Sequence, residues 1–229
     1  MFQELRQYFK SREARSRIEN TEPFDLDPKI RIAYDEKDLA VIHHPDVKAV
    51  LWKREITPEI LDDLALYEKN EKGDGQQCMT TPDSIIHDVA DVNESFNQAT
   101  NSSAQAQIKY FHSNADNKQQ DRASFAHVDN NITLRALACY TLDINAATQY
   151  YPGDFSRDDI KRINEELDSV STSEERNIIK ERYGVQTLEM GEVLIIKGLN
   201  FEKNLGSEGQ LLHSGPEQYD GGVFRYLTI

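Results

Sequence analysis

The sequence predicts an α+β fold, with a helix-rich N-terminal part and a strand-rich C-terminal core. Three observations carry this. Before residue 104, apolar residues recur at helical spacing, as Ile60, Leu61 and Leu64 and again as Ile85, Val89, Val92 and Phe96. After residue 105, short strand-like segments separated by Gly-containing turns suggest a barrel or sandwich. Within that β-rich part, residues 155–184 revert to helical patterning and read as an insertion. The expected organisation is 1–104 packed on a core over 105–229, as one structural domain overall.

The elements follow in order. Residues 1–20 read as an amphipathic helix built on Phe2, Leu5 and Phe9, ended by Glu22-Pro23 and Asp27-Pro28. Packing on the core is favoured over a partner-binding arm, because core-facing amphipathic helices are the commoner case. Residues 39–43 and 47–52 look like strands. Thr57 and Pro58 suit an N-cap and first helical position, opening a helix to about Lys69. A second helix runs from Pro82 or Asp83 to about Phe96. Residues 107–112 read as a strand, and the very polar residues 114–122 as a mobile loop.

Residues 125–129 and 133–141 are the next expected strands. The second places Leu134, Ala136 and Ala138 on one face, with Leu137 and Cys139 toward the other. A strand over 147–151 precedes two helices, opened by Ser156 and by Ser173-Glu174-Glu175, the second ending at Gly184. Strands over 185–190, 193–197, 210–213 and 223–229 close the chain, and the Gly-rich stretch Asp220-Gly221-Gly222 leads to the expectation of an antiparallel hairpin that brings Arg225 back beside the strand of His213.

Composition narrows the function. Asp and Glu number 40 against 26 Lys and Arg, giving a net charge of −14. Duplex and membrane partners call for basic surface, so nucleic acid is disfavoured and a small molecule or a protein is the expected substrate class. The two cysteines, Cys78 and Cys139, form no C-x-x-C, and Cys139 reads as a buried free thiol. That usage suits a reducing compartment, and no long apolar run or secretory h-region appears, so a cytoplasmic protein with no membrane segment is expected.

The chemistry centres on Phe125-Ala126-His127-Val128-Asp129. Alternate strand residues share a face, so His127 and Asp129 project together. A neutral imidazole and a carboxylate on one face are two-thirds of a facial triad for iron(II). His213, in another strand-like segment, is the candidate third ligand, and Arg225 follows it by 12 positions (225 − 213 = 12). Singly, each has an ordinary structural reading: a strand pair, a satisfied core histidine, a salt-bridge partner. Their joint order and strand context point to a metal site.

This order, H-x-D then a distal His then Arg, resembles the iron(II)/2-oxoglutarate-dependent dioxygenases. A further resemblance is to an uncharacterised bacterial family, through Leu134-Arg135-Ala136-Leu137-Ala138-Cys139-Tyr140, the Gly191-Glu192-Val193 strand and Leu212-His213-Ser214-Gly215-Pro216. The resemblance implies a double-stranded β-helix core of the jelly-roll or cupin type. It implies iron(II) held by His127, Asp129 and His213, with 2-oxoglutarate and dioxygen as cosubstrates. Arg225 stands where the family clamps the distal carboxylate, a task its bidentate fork suits. Arg135 and Lys197 are reserve candidates for that clamp. Thr228 departs from the family's Arg-x-Ser/Thr spacing and would face away from Arg225. The resemblance implies a hydroxylase. The alternatives are a cupin-like metal oxygenase without 2-oxoglutarate and a non-catalytic binding protein on the same fold.

Overall fold

A strand buried on both faces needs a covering layer on each, and the apolar strands of this chain have both. In a computed structural model, residues 29–71, 81–112, 125–129, 133–170, 172–198, 210–215 and 222–228 are described. The strands are β1 (Ile30–Ala33), β2 (Ala49–Lys53), β3 (Ala106–His112), β4 (Leu134–Tyr140), β5 (Gln149–Tyr151), β6 (Gln186–Thr187), β7 (Glu192–Lys197), β8 (Leu212–Ser214) and β9 (Gly222–Thr228). The larger sheet runs β1-β2-β7-β4-β9-β3 and the smaller runs β6-β5-β8. All pairings are antiparallel except β1 with β2.

Among the described residues, four α-helices cover the outer faces: α1 (Pro58–Glu71), α2 (Asp83–Thr100), α3 (Arg157–Asp168) and α4 (Ser173–Arg182). On one side, Ile60, Leu64, Val89 and Phe96 of α1 and α2 meet Val50, Trp52, Ala136 and Ile195 of the larger sheet. Between the sheets, Ala49, Leu51, Cys139 and Ile196 meet Tyr150, Leu188 and Leu211. On the far side, Ile163, Leu167 and Ile179 of α3 and α4 meet Tyr151 and Leu212 of the smaller sheet. The result is a mixed α/β arrangement in four layers, helix, sheet, sheet, helix. The alternation expected in residues 133–141 is observed, with Ala136 and Ala138 toward the helices and Leu137 and Cys139 toward the second sheet.

Local chemistry sets several boundaries. Thr57 Oγ1 accepts from the Ile60 amide at 3.5 Å, capping α1. Ser156 and Thr172 each close a capping box on α3 and α4. The second cap lies one residue before the Ser173 expected from sequence. Gly184 follows α4 at φ +68°, a conformation that favours glycine.

Four expectations are corrected. Residues 39–43 form no strand and belong to a 3₁₀ helix over Glu36–His43. Asp35 caps it by accepting from the Lys37 amide at 2.9 Å, and Leu39 and Ile42, three apart, bury one side at 0 % exposure. The strand expected over 185–190 shrinks to Gln186–Thr187, because Met190 and Gly191 already turn into β7. Residues 125–129 make one bridge rather than a strand. No antiparallel hairpin joins His213 to Arg225, since β8 lies in the smaller sheet and β9 in the larger. A two-sheet sandwich lets consecutive strands cross from sheet to sheet, which turn residues alone do not reveal. The expected helix over 1–20 and loop over 114–122 lie outside the described residues.

Candidate metal centre

The H-x-D segment is held from two sides. His127 and His213 exchange both backbone hydrogen bonds, at 2.9 and 3.0 Å. Such a reciprocal antiparallel pair puts the two side chains on the same face, and the rings stand 4.4 Å apart. On the other side, the Asn164 amide of α3 clamps Ala126, accepting from its N–H and donating to its carbonyl, each at 2.9 Å. Asn164 was not singled out in the sequence. A signal existed: Ile160, Ile163, Asn164 and Leu167 share one helical face, and an amide in an otherwise apolar stripe needs a polar partner.

The structure brings His127, Asp129 and His213 together. Their potential ligand atoms all lie within 4.8 Å of one another. His213 is buried at 5 % exposure and pairs in register with Tyr150, so it faces the space between the sheets. His127 is exposed and opens the cluster to solvent. Each imidazole turns Nδ1 to the carbonyl two residues earlier, His127 to Phe125 at 3.0 Å and His213 to Leu211 at 3.3 Å. A carbonyl only accepts, so Nδ1 carries the proton, and in the neutral ring Nε2 keeps its lone pair. Burial, then the neighbouring His127, pull His213 down to about 4 against the opposing pull of Asp129, which keeps it neutral at physiological pH.

Asp129 Oδ2 lies 3.6 Å from His213 Nε2 and is buried without a hydrogen-bond partner among the described residues. A buried carboxylate oxygen facing a lone pair, with no donor between them, calls for a cation. Two neutral imidazoles and one carboxylate are the donor set that suits a divalent transition metal. The residues present therefore fit such an ion. Asp129 Oδ1 pairs with Arg135 Nη1 at 2.8 Å.

Arg225 stands in β9 between Lys109 of β3 and Cys139 of β4. Phe224 and Tyr226 are buried on the helix side of the sheet, so Arg225 faces the space between the sheets, which His213 faces from the opposite layer. Its Nη2 donates to the Ala146 carbonyl at 3.5 Å. Lys197 is on the wrong face for a clamp. It donates to the His44 carbonyl at 2.7 Å, on the helix-covered side. Thr228 Oγ1 accepts from the Ala136 amide at 3.0 Å and so serves the sheet.

No family model matches the chain, and no curated protein matches it in sequence. Among solved structures it is similar to a Pseudomonas putida prolyl-4-hydroxylase, with a TM-score of 0.42 at 8 % identity over 86 % of this chain and 92 % of that one. It is also similar to an N-substituted L-amino acid dioxygenase from Burkholderia ambifaria, with a TM-score of 0.41 at 9 % identity over 84 % and 85 % of the two chains. A third is the Kdo hydroxylase KdoO, a non-haem Fe(II) α-ketoglutarate-dependent dioxygenase in complex with cobalt(II), with a TM-score of 0.41 at 9 % identity over 88 % and 89 %. Among the described residues, no helix is long and apolar enough to cross a membrane.

Proposed function

We propose that this chain is a non-haem iron(II)/2-oxoglutarate-dependent oxygenase that hydroxylates its substrate. The observation that carries the reading is the convergence of His127, Asp129 and His213 around an orphaned carboxylate oxygen. Iron(II) held there would supply, with 2-oxoglutarate and dioxygen, the oxidation of an unactivated C–H bond. The two histidines would offer their Nε2 atoms, and Asp129 its carboxylate. Arg225, turned toward the same inter-sheet space, binds the distal carboxylate of 2-oxoglutarate by its two-pronged fork. His127, the exposed ligand, marks the side from which substrate enters. The double-stranded β-helix is the inferred fold family, supported by β8 and β9 lying in opposite sheets. A small molecule or a protein is the proposed substrate class, since the net charge of −14 disfavours nucleic acid. A cytoplasmic setting is supported by Cys139, a buried free thiol.

The test is anaerobic reconstitution with iron(II) and 2-oxoglutarate. The expected outcome is a metal-to-ligand charge-transfer band in visible absorption. Bound iron without that band would favour the cupin-like oxygenase that needs no 2-oxoglutarate. No bound iron at all would favour a binding protein.

A further inference from the structure

The two oxygens of Asp129 live in opposite surroundings. Oδ1 meets the Arg135 guanidinium at 2.8 Å. Oδ2 faces His213 Nε2 at 3.6 Å and has no hydrogen-bond partner among the described residues. Arg135 reaches this point from β4, on the face it shares with Leu137 and Cys139. Both side chains are largely shielded, Arg135 at 21 % exposure and Asp129 at 11 %, so their attraction is weakly screened.

A carboxylate can hold a cation through one oxygen or chelate it through both. The choice matters at an octahedral ion. Two imidazoles and a one-oxygen carboxylate leave three positions open, and a chelating carboxylate leaves two. A cosubstrate bound through two atoms, together with dioxygen, would need all three. Resting on the reading of the triad as a metal centre, we propose that Arg135 is a positioning residue that restricts Asp129 to one-oxygen coordination. It does so by occupying Oδ1, and the third open position is the result. The guanidinium also sets a like charge near the metal, so this arrangement trades metal affinity for an open coordination sphere.

That trade gives the proposal its sign. An ion pair that only holds the segment in place would, when broken, loosen the site and weaken metal binding. Loss of Arg135 should instead tighten it, since a second oxygen is freed and a repelling charge removed. The probe is manganese(II), titrated into the parent, Arg135→Met, Arg135→Gln and Arg135→Lys. Affinity is read from the paramagnetic signal of free ion, and bound water from proton relaxation. Arg135→Met keeps the apolar stem, and Arg135→Gln is a second neutral variant should the first impair folding. Either neutral variant is expected to bind manganese(II) at least about threefold more tightly, the minimum for removing a like charge at this range. Each is expected to lose about one exchangeable water to the second carboxylate oxygen. Arg135→Lys should stay near the parent. Neutral variants that bind no more tightly, or keep the parent's bound water, overturn the proposal. A parent that binds no manganese(II) overturns the metal centre itself, and the role of Arg135 with it.

Discussion

Arg225 is the residue on which the 2-oxoglutarate reading turns. Arg225→Ala should weaken 2-oxoglutarate binding by roughly 2–5 kcal/mol, the cost of breaking a buried charge pair. Arg225→Lys should recover only part of that, because an ammonium cannot make a two-pronged contact. Iron affinity should change little in either variant, since neither touches the triad. Titration of the iron(II) form with 2-oxoglutarate measures both, and an Arg225→Ala protein that binds as tightly as the parent would remove the clamp from Arg225. At this scale the sequence carried His127, Asp129 and His213 because ligand chemistry restricts residue type and spacing. It carried Arg135 only as a reserve clamp. Its pairing with Asp129 depends on β4 lying across the inter-sheet space from the H-x-D segment, and no local pattern encodes that. Lys197 shows the converse. Its residue type suited a clamp, but the phase of β7 turns it toward His44.

The element that decides the geometry is the short segment over 125–129. Among the described residues it is held by one reciprocal bridge and by Asn164, with little other backbone pairing. Asn164→Ala removes two hydrogen bonds and leaves the Ala126 N–H and carbonyl without partners, a loss of about 1–3 kcal/mol. Hydrogen exchange at Ala126 and His127 should accelerate, while β4 and β7 keep their protection. Unchanged exchange at those two amides would show that the clamp is dispensable. Long elements were legible from sequence because their periodicity is repeated: α1, α2, α3 and β4 lie close to their expected ranges. Short ones were not. Residues 39–43 carry apolar content that fits a strand or a 3₁₀ turn equally, and the Asp35 cap together with the one-sided burial of Leu39 and Ile42 decides between them. Residues 125–129 have the alternation of a strand, yet α3 occupies their second edge through Asn164. The sequence Asp220-Gly221-Gly222 suggests a hairpin because turn chemistry reports a bend and not the sheet that the next strand joins.

At the scale of the whole molecule, the two sheets are tied at one end by Asp154, just after β5. It pairs with Lys29 before β1 and with the buried Lys48 before β2. Burial pushes the Asp154 carboxyl up, but hydrogen bonds and charge from the two lysines outweigh this and hold it below the usual carboxylate range. Its folded value is thus lower than its unfolded value. The stabilisation it gives is complete above about pH 4, the ordinary carboxylate value, and is lost as pH falls through the lowered one. Asp154→Asn should therefore flatten part of the acid side of a plot of melting temperature against pH. An identical acid limb in parent and variant would exclude the pair as a contributor. The reciprocal bridge between His127 and His213 has a consequence of another kind. Those residues are 86 positions apart (213 − 127 = 86). A cation held by both side chains is a reversible cross-link that closes a long loop, and it exists only in the folded chain. By mass action its free concentration then becomes a variable of folding, and each tenfold rise above its dissociation constant adds about 1.4 kcal/mol to stability.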